Sequence, residues 1–238
     1  MNIRILPILA AAALASLPGV AHADVITLGS GDLNKSFTVD YNGYTGSGAI
    51  DGLTSQIVFT LTGTTANSYT LSYAVANNSG TPITGSRVSG FGFNTDPTIS
   101  GASSTGTYSV TALNSNVPNV GTVDVCFKGG GGTNSCAGGG GGGVSLGDSG
   151  SGTLTLSFAS PVTSLTLSDF FTRYQSISGA GSTTSAVGSG TISTSSGGTS
   201  SGGTPVPEPG MFGLFALGVG ALMLRRRRGA GAPQLATA

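Results

Sequence analysis

Histidine, glutamate and tryptophan are almost absent from this chain of 238 residues. His22 is the only histidine, Glu208 is the only glutamate, and there is no tryptophan. Catalytic triads and Cys–His pairs need an imidazole at the site, and residues 24–238 have none. The missing tryptophan also removes the best ring for stacking on a sugar. We therefore expect no catalytic residues and no enzyme activity.

Charged side chains are also scarce, at 8% of the residues against about a quarter in an ordinary globular protein. Residues 24–204 hold four cations and eight aspartates, so this part of the chain has a net charge of −4. Such a surface repels a phosphate backbone. The composition therefore excludes nucleic acid as an expected partner.

The remaining polar residues leave weaker alternatives open. A pair of aspartates could hydrolyse glycosides, although sequence alone places no two of them together, and solvated loops explain them better. Oxygen ligands beside glycines at 40–43 and 51–52 suggest calcium, but turn formation explains them equally well. We expect no bound metal and no cofactor. The aspartates considered are Asp40, Asp51, Asp96, Asp124, Asp148 and Asp169, and the tyrosines that could contact a sugar are Tyr41, Tyr44, Tyr69, Tyr73, Tyr108 and Tyr174.

The amino terminus has the three parts of a secretory signal peptide. Arg4 supplies a positive charge, an apolar run occupies residues 5–20, and Ala21 and Ala23 form an A-x-A site. These parts serve attraction to the membrane surface, insertion, and recognition by signal peptidase. We predict cleavage after Ala23, which removes residues 1–23 and the only histidine. The alternative, an uncleaved anchor helix, is disfavoured by the Pro-Gly pair just before the site.

Apolar residues alternate with polar ones through most of the chain, as they do in half-buried strands. The clearest runs cover residues 37–41, 57–61 and 69–75. This pattern predicts one all-β domain over residues 24–192, an antiparallel β-sandwich or jelly roll. Further predicted strands are Arg87 to Phe93, Thr107 to Leu113, Thr122 to Phe127, Thr153 to Ala159, Val162 to Asp169 and Ala186 to Ile192.

The chain has two cysteines, Cys126 and Cys136, which lie beside glycine runs. In an exported protein we predict that they form one disulfide. Closing this short loop would stabilise the fold by roughly 2.5 to 3 kcal/mol. A redox or metal pair is the alternative, but the spacing is longer than C-x-x-C. The glycine runs lack the ending of a phosphate-binding loop, which excludes a nucleotide site.

Residues 193–204 form a Ser/Thr/Gly tract without large side chains, which predicts a flexible linker. An apolar segment follows from Gly210 to Leu224, and its 15 residues would make a helix about 22 Å long. Because a bilayer core is roughly 30 Å thick, the segment can span only if flanking arginines snorkel. The positive-inside rule puts these arginines in the cytoplasm. They are Arg225, Arg226, Arg227 and Arg228, and residues 229–238 would be a cytoplasmic remnant.

Just before the apolar segment stands the tetrapeptide Val206, Pro207, Glu208 and Pro209. Motif, short helix and basic cluster, over residues 205–228, together resemble the tail of the PEP-CTERM family of sorted proteins. The resemblance implies cutting by exosortase, a membrane-embedded cysteine protease of biofilm-forming Gram-negative bacteria that make exopolysaccharide. Family tails usually end soon after the arginines, whereas this chain continues to Ala238. A plain C-terminal anchor is the alternative, but it has no use for the Pro-Glu-Pro sequence.

Parts of the body resemble the cistern family of PEP-CTERM proteins, through residues 126–129, 136–143 and 169–175. The resulting hypothesis is a non-enzymatic surface or matrix protein associated with biofilm or exopolysaccharide. Its expected partners are signal peptidase, an exosortase-like protease and the inner membrane, with exopolysaccharide as a further candidate. The precursor would be anchored by its tail, and the mature form would lie at the cell surface or outside the cell. The alternative is a carbohydrate-binding module for the cell's own exopolysaccharide, and a secreted hydrolase with two aspartates is the third.

Overall fold

The computed structural model describes residues 24–131, 135–137 and 141–196, together with the backbone of residues 199–200. The predicted signal peptide at 1–23 lies outside the described residues, and so do the predicted sorting motif, membrane segment and arginine cluster. In the described ranges, no helix has the length and apolar character needed to cross a membrane.

The body consists of antiparallel strands connected by turns, with a single 3-10 turn at Ser30–Asp32 in the described residues. The alternation of buried and half-buried residues along these strands reproduces the period of two in the sequence. The strands are β1 (Ile26–Gly29), β2 (Ser36–Thr45), β3 (Gly48–Thr65), β4 (Ser68–Ala76), β5 (Gly85–Asp96), β6 (Gly101–Gly106), β7 (Val110–Val117), β8 (Gly121–Lys128), β9 (Val144–Ser145), β10 (Ser149–Ser157), β11 (Ser164–Ser178), β12 (Ser185–Ser195) and β13 (Thr199–Ser200).

The strands hydrogen-bond in the order β6-β10-β4-β3-β2-β12-β11-β5-β8-β7. The two end strands, β6 and β7, are consecutive in the chain and contact each other, so the antiparallel sheet is nearly closed. The structure therefore confirms the all-β antiparallel class. A sandwich or jelly roll predicts two separate sheets, whereas here one continuous sheet wraps around the core.

The bent strand β11 explains how one sheet can surround the core. Its first half pairs with β1 and its second half with β12, and the register with β5 shifts between Ser168 and Phe171. Asp169 lies at this shift with a φ of 51°. An irregularity of this kind bends a strand and increases its twist. A single long strand thus contributes to two parts of the core wall, where the sequence predicted a strand that ends at Asp169.

Other predicted boundaries also differ from the structure. Residues 107–109 form the turn between β6 and β7, so the prediction that a strand begins at Thr107 is wrong. β12 continues three residues past Ile192, the predicted end of the domain. β13 lies inside the predicted linker and pairs with β1 through Ile26 and Thr27. The two ends of the body are therefore neighbours.

Phe59 lies at the centre of an aromatic core. Its ring stacks on Phe37 with centroids 5.1 Å apart, and meets the rings of Phe91, Phe93 and Phe170 at 5.8 to 6.2 Å. Phe59 has no exposed surface. Rings in edge-to-face and tilted arrangements stabilise a core beyond the burial of their area. This cluster connects β2, β3, β5 and β11 across the interior.

The outer face of β2, β3, β4, β10 and β6 bears many hydroxyl groups, and Asp40 of β2 lies on the same face, where its carboxylate accepts from Gln56. Strand pairing places one Ser or Thr of each strand in a continuous row across the five strands. Neighbours in this face also bond directly, as the hydroxyls of Ser36 and Thr60 do at 2.7 Å. We call this set the hydroxyl row; its members are Ser36, Thr60, Ser72, Thr153 and Thr105.

Candidate functional site

The two cysteines form the predicted disulfide, and their Cα atoms are 6.4 Å apart. Both side chains are buried in a second, smaller apolar cluster with Phe171 and Val187, outside the main core. The backbone nitrogen of Cys136 donates to Oγ of Ser115 at 2.8 Å. The bridge therefore fixes a glycine-rich loop onto the strands β7, β8 and β11.

Two buried cations hold the same loop from either side of Cys136. Nζ of Lys128 donates to the carbonyl of Ser135 at 2.8 Å, and Nε of Arg173 donates to the carbonyl of Ala137 at 3.1 Å. Burial lowers the pKa of both cations. Peptide carbonyls with two lone pairs are suitable acceptors for these donors. Sequence reasoning missed this role of Lys128 and Arg173, although both are rare charges inside apolar strands.

The glycine runs have a packing role at this loop. Gly129 and Gly142 face each other with their backbones in contact. A Cβ on either residue would overlap the backbone of the facing segment. Only glycine allows so close an approach. The structure thus accounts for glycine on both sides of the disulfide.

A polar cleft of about 370 Å³ opens near the irregular middle of β11. Pockets of about 300 to 1,000 Å³ are typical of sites for small ligands. Most of its lining residues are polar, and Phe170 and Phe171, which also line it, are almost fully buried. The lining residues are Tyr44, Asn94, Asn119, Val120, Thr122, Val123, Asp169, Phe170, Phe171 and Ser189.

A hydrogen-bond network orients the polar groups of the cleft. Nδ2 of Asn94 donates to Oδ2 of Asp169 at 2.9 Å, and Oδ1 of Asn94 accepts from the backbone nitrogen of Asp124 at 3.0 Å. Ser168 donates to the same Oδ2 of Asp169 at 3.2 Å. Both functional groups of the Asn94 amide are therefore engaged, which fixes the position of the Asp169 carboxylate.

Two residues of the cleft have left-handed backbone conformations without being glycine. Asp169 has a φ of 51° and Asn119 a φ of 64°. Such conformations are uncommon outside glycine and often occur at functional positions. Tyr44 supports the second residue, because its hydroxyl donates to the carbonyl of Asn119 at 3.0 Å. The cleft is therefore built from a bulge on one side and a tight turn on the other.

The structure separates most of the candidate residues that the sequence offered. Five of the six tyrosines are buried, so the expectation that several of them could form a sugar-contacting face is wrong. Only Tyr44 lines the cleft. The aspartates are also dispersed, although Asp124 and Asp169 both bond to Asn94. Asn94, Asn119, Thr122 and Ser189 were missed, and of these only Asn119, in a Pro-Asn turn, gave a signal in the sequence.

The suggested calcium loops have other roles. Oδ1 of Asp40 accepts from Nε2 of Gln56 at 2.7 Å, and Asp51 lies in the extended strand β3. Across the part of the chain that the structure describes, no three metal-ligating side chains come together. Strand pairing and turn formation are sufficient to account for these aspartates.

Buried tyrosines make the fold sensitive to alkali. Burial raises the pKa of Tyr174 to about 12, and it also raises the pKa of Tyr41 and Tyr108. Unfolded tyrosine has a pKa of about 10, so the stabilisation is complete below pH 10 and is lost as the pH rises toward 12. We expect the free energy of unfolding to fall steeply above pH 10 in urea titrations.

Replacing Tyr174 with phenylalanine tests this prediction. At pH 7 the variant should lose about 1 kcal/mol, because the buried Ser55 hydroxyl loses its partner at 2.7 Å. Above pH 10 the variant should lose stability less steeply than the wild type, because one titrating group is gone. Equal slopes in the two proteins would show that Tyr174 does not contribute to the alkaline transition.

The fold and the disulfide define this protein as an all-β domain with a cross-linked, glycine-rich loop. The family model of the PEP-CTERM protein-sorting motif matches residues 205–228, directly after this domain. The chain therefore carries a PEP-CTERM sorting signal, as the sequence predicted. This motif implies export, a membrane-anchored precursor and processing by an exosortase-like protease. No curated protein and no solved structure matches the chain.

Proposed function

We propose that this protein is a non-enzymatic component of the cell surface or extracellular matrix, delivered there by exosortase-dependent sorting and associated with biofilm or exopolysaccharide. The observation that carries the proposal is the sorting motif at residues 205–228. The body supports it, because a disulfide suits an oxidising compartment outside the cytoplasm.

The proposed sorting step follows from the order of the tail. A 15-residue apolar helix from Gly210 to Leu224 inserts in the inner membrane, and Arg225 to Arg228 remain on the cytoplasmic side. Val206 to Pro209 then lie at the outer surface of that membrane, within reach of the protease. Signal peptidase removes residues 1–23 during export.

Pairing of β13 with β1 would keep the body close to the membrane during this step. Residues 201–204 are the only ones between Ser200 and the matched motif. Four extended residues reach about 14 Å. The paired strands β1 and β13 therefore lie within about 14 Å of the sorting motif in the precursor.

A non-enzymatic role is supported by the chemistry of the described body. It has no histidine and no glutamate. Its buried charges, Lys128 and Arg173, bond to backbone carbonyls that hold the disulfide loop. Both cations therefore have a structural role, which is to hold the disulfide loop.

Replacing Glu208 with alanine, or deleting Arg225 to Arg228, should block sorting. We expect the precursor to accumulate in the membrane fraction and the processed surface form to fall at least tenfold, because the first change alters the motif and the second removes the orienting charge. Immunoblots of membrane and surface fractions measure both forms. Gln234→Ala, outside the matched residues, is the control and should be sorted normally. Normal amounts of processed protein from both signal variants would refute the proposal.

Carbohydrate binding is the second candidate function, and the polar cleft between Tyr44 and Asp169 favours it. The structural role and the binding role are compatible, since a matrix protein can bind the polymer around it. Glycan arrays distinguish a purely structural protein, which binds no sugar, from a binding module.

A further inference from the structure

We propose that the cleft at Asp169 binds an uncharged sugar residue of a polysaccharide, a ligand class that rests on the carbohydrate-binding function proposed above. The first argument is the kind of groups that line it. Amide, hydroxyl and carboxylate groups line it together, in Asn94, Asn119, Thr122, Asp169 and Ser189. A sugar has the complementary chemistry, because its hydroxyl groups both donate and accept hydrogen bonds.

The second argument is that the network leaves one side of Asp169 available. Asn94 and Ser168 both donate to Oδ2, and within the described residues Oδ1 has no hydrogen-bond partner. The side chain is exposed at the cleft rim. A carboxylate accepts strong hydrogen bonds from hydroxyl groups and has no proton of its own to donate. Oδ1 of Asp169 is therefore the expected acceptor for a sugar hydroxyl.

The third argument is charge. Asp169 is the only charged residue among those that line the cleft, and none of them is a cation. A uronic acid or a sulfated sugar would bring a second negative charge close to this carboxylate, at a cost that grows in a partly enclosed site. The cleft should therefore discriminate against acidic sugars.

The fourth argument concerns shape. Asn119 and Asp169 both line the cleft in left-handed conformations, and the Tyr44 hydroxyl holds the Asn119 turn in place. Polar groups fixed before binding lose less entropy when the ligand arrives. Hydrogen bonds within the protein hold these groups, from Tyr44 to Asn119 and from Asn94 to Asp169.

The test uses the full-length protein, exported so that the disulfide forms and purified in mild detergent. The probes are immobilised neutral hexose oligomers, with oligomers of uronic acids of equal length as the charged comparison. We expect saturable binding to at least one neutral oligomer with a Kd below 1 mM, about −4 kcal/mol, and at least tenfold weaker binding to every uronate. Absence of neutral-sugar binding at 10 mM, or equal binding of uronates, would overturn the proposal.

The residue assignment is tested with Asp169→Asn, since asparagine tolerates the left-handed conformation at this position. Loss of the charged acceptor should weaken neutral-sugar binding about 10- to 100-fold. Asp148→Asn makes the same charge change on the turn before β10, away from the cleft, and should bind normally. Unchanged affinity in Asp169→Asn would place the binding elsewhere and refute the assignment.

A second readout is independent of affinity. The side-chain amide signals of Asn94 and Asn119 should shift in NMR spectra when the neutral oligomer is added, while those of Asn77, a buried amide outside the cleft, should not. Failure of this proposal is distinguishable from failure of the sorting proposal. A protein that is processed correctly but binds no sugar contradicts both the carbohydrate-binding function and the cleft assignment, and leaves the sorting proposal intact. A protein that binds sugar equally well with and without Asp169→Asn contradicts only the cleft assignment.

Discussion

Replacing Phe59 with alanine is expected to lower the free energy of unfolding by about 3 to 5 kcal/mol. The ring has no exposed surface and contacts four other phenylalanines, so its removal leaves a cavity that the surrounding strands cannot easily fill. Since domains are stable by only about 5 to 15 kcal/mol, this single change removes a large fraction of the total. Urea denaturation followed by circular dichroism gives the value.

Val58→Ala is the matched control, because Val58 is the neighbouring residue on β3 and points to the outer, half-buried face. This variant should lose less than about 1.5 kcal/mol of unfolding free energy, since the Val58 side chain buries less apolar area than the Phe59 ring does. Comparable losses from the two variants would contradict the placement of Phe59 at the centre of the core.

Removing the disulfide by changing both Cys126 and Cys136 to serine should cost about 3 kcal/mol. The bridge joins residues 10 apart. Releasing a loop of this length raises the entropy of the unfolded chain, which lowers the free energy of unfolding by roughly 2.7 kcal/mol. Two polar hydroxyls would also replace buried sulfurs in the small apolar cluster. Thermal unfolding and urea denaturation of the exported protein measure the loss.

Reduction of the wild type provides an independent check on the bridge. The wild type should lose stability when a phosphine reductant is added, whereas the double serine variant should be unaffected. The glycine-rich loop should also become accessible to protease in both cases. An oxidised and a reduced wild type of equal stability would show that the bridge does not restrain the fold.

Strand positions and the disulfide could be predicted because each depends on local patterns. The period of two at residues 37–41, 57–61 and 69–75 records which side chains face the core, and the structure confirms all three runs. β6 was missed because its Gly, Ala, Ser and Thr residues show no alternation of apolar and polar character. Patterning is visible only where large apolar residues mark one face.

The cleft could not be predicted, because it arises from contacts between distant parts of the chain. Tyr44, Asn94, Asn119 and Asp169 come from four separate segments, and Asp169 lies at the register shift in β11. The single continuous sheet was also beyond a pattern argument, since the pairing of β1 and β12 with two halves of one strand leaves no trace in periodicity. The sorting motif, by contrast, is a continuous stretch of sequence, so it could be predicted from the order of its residues alone.

The hydroxyl row has a consequence for the conditions in which this protein works. The five hydroxyl groups of this row are uncharged, so added salt has nothing to screen along it, and the Asp40 carboxylate on the same face is held by Gln56. Solubility and surface contacts on this side should therefore vary little between dilute and saline water. Serine and threonine hydroxyls keep this row of the surface hydrated at any ionic strength, whereas interactions between charged side chains would change with it.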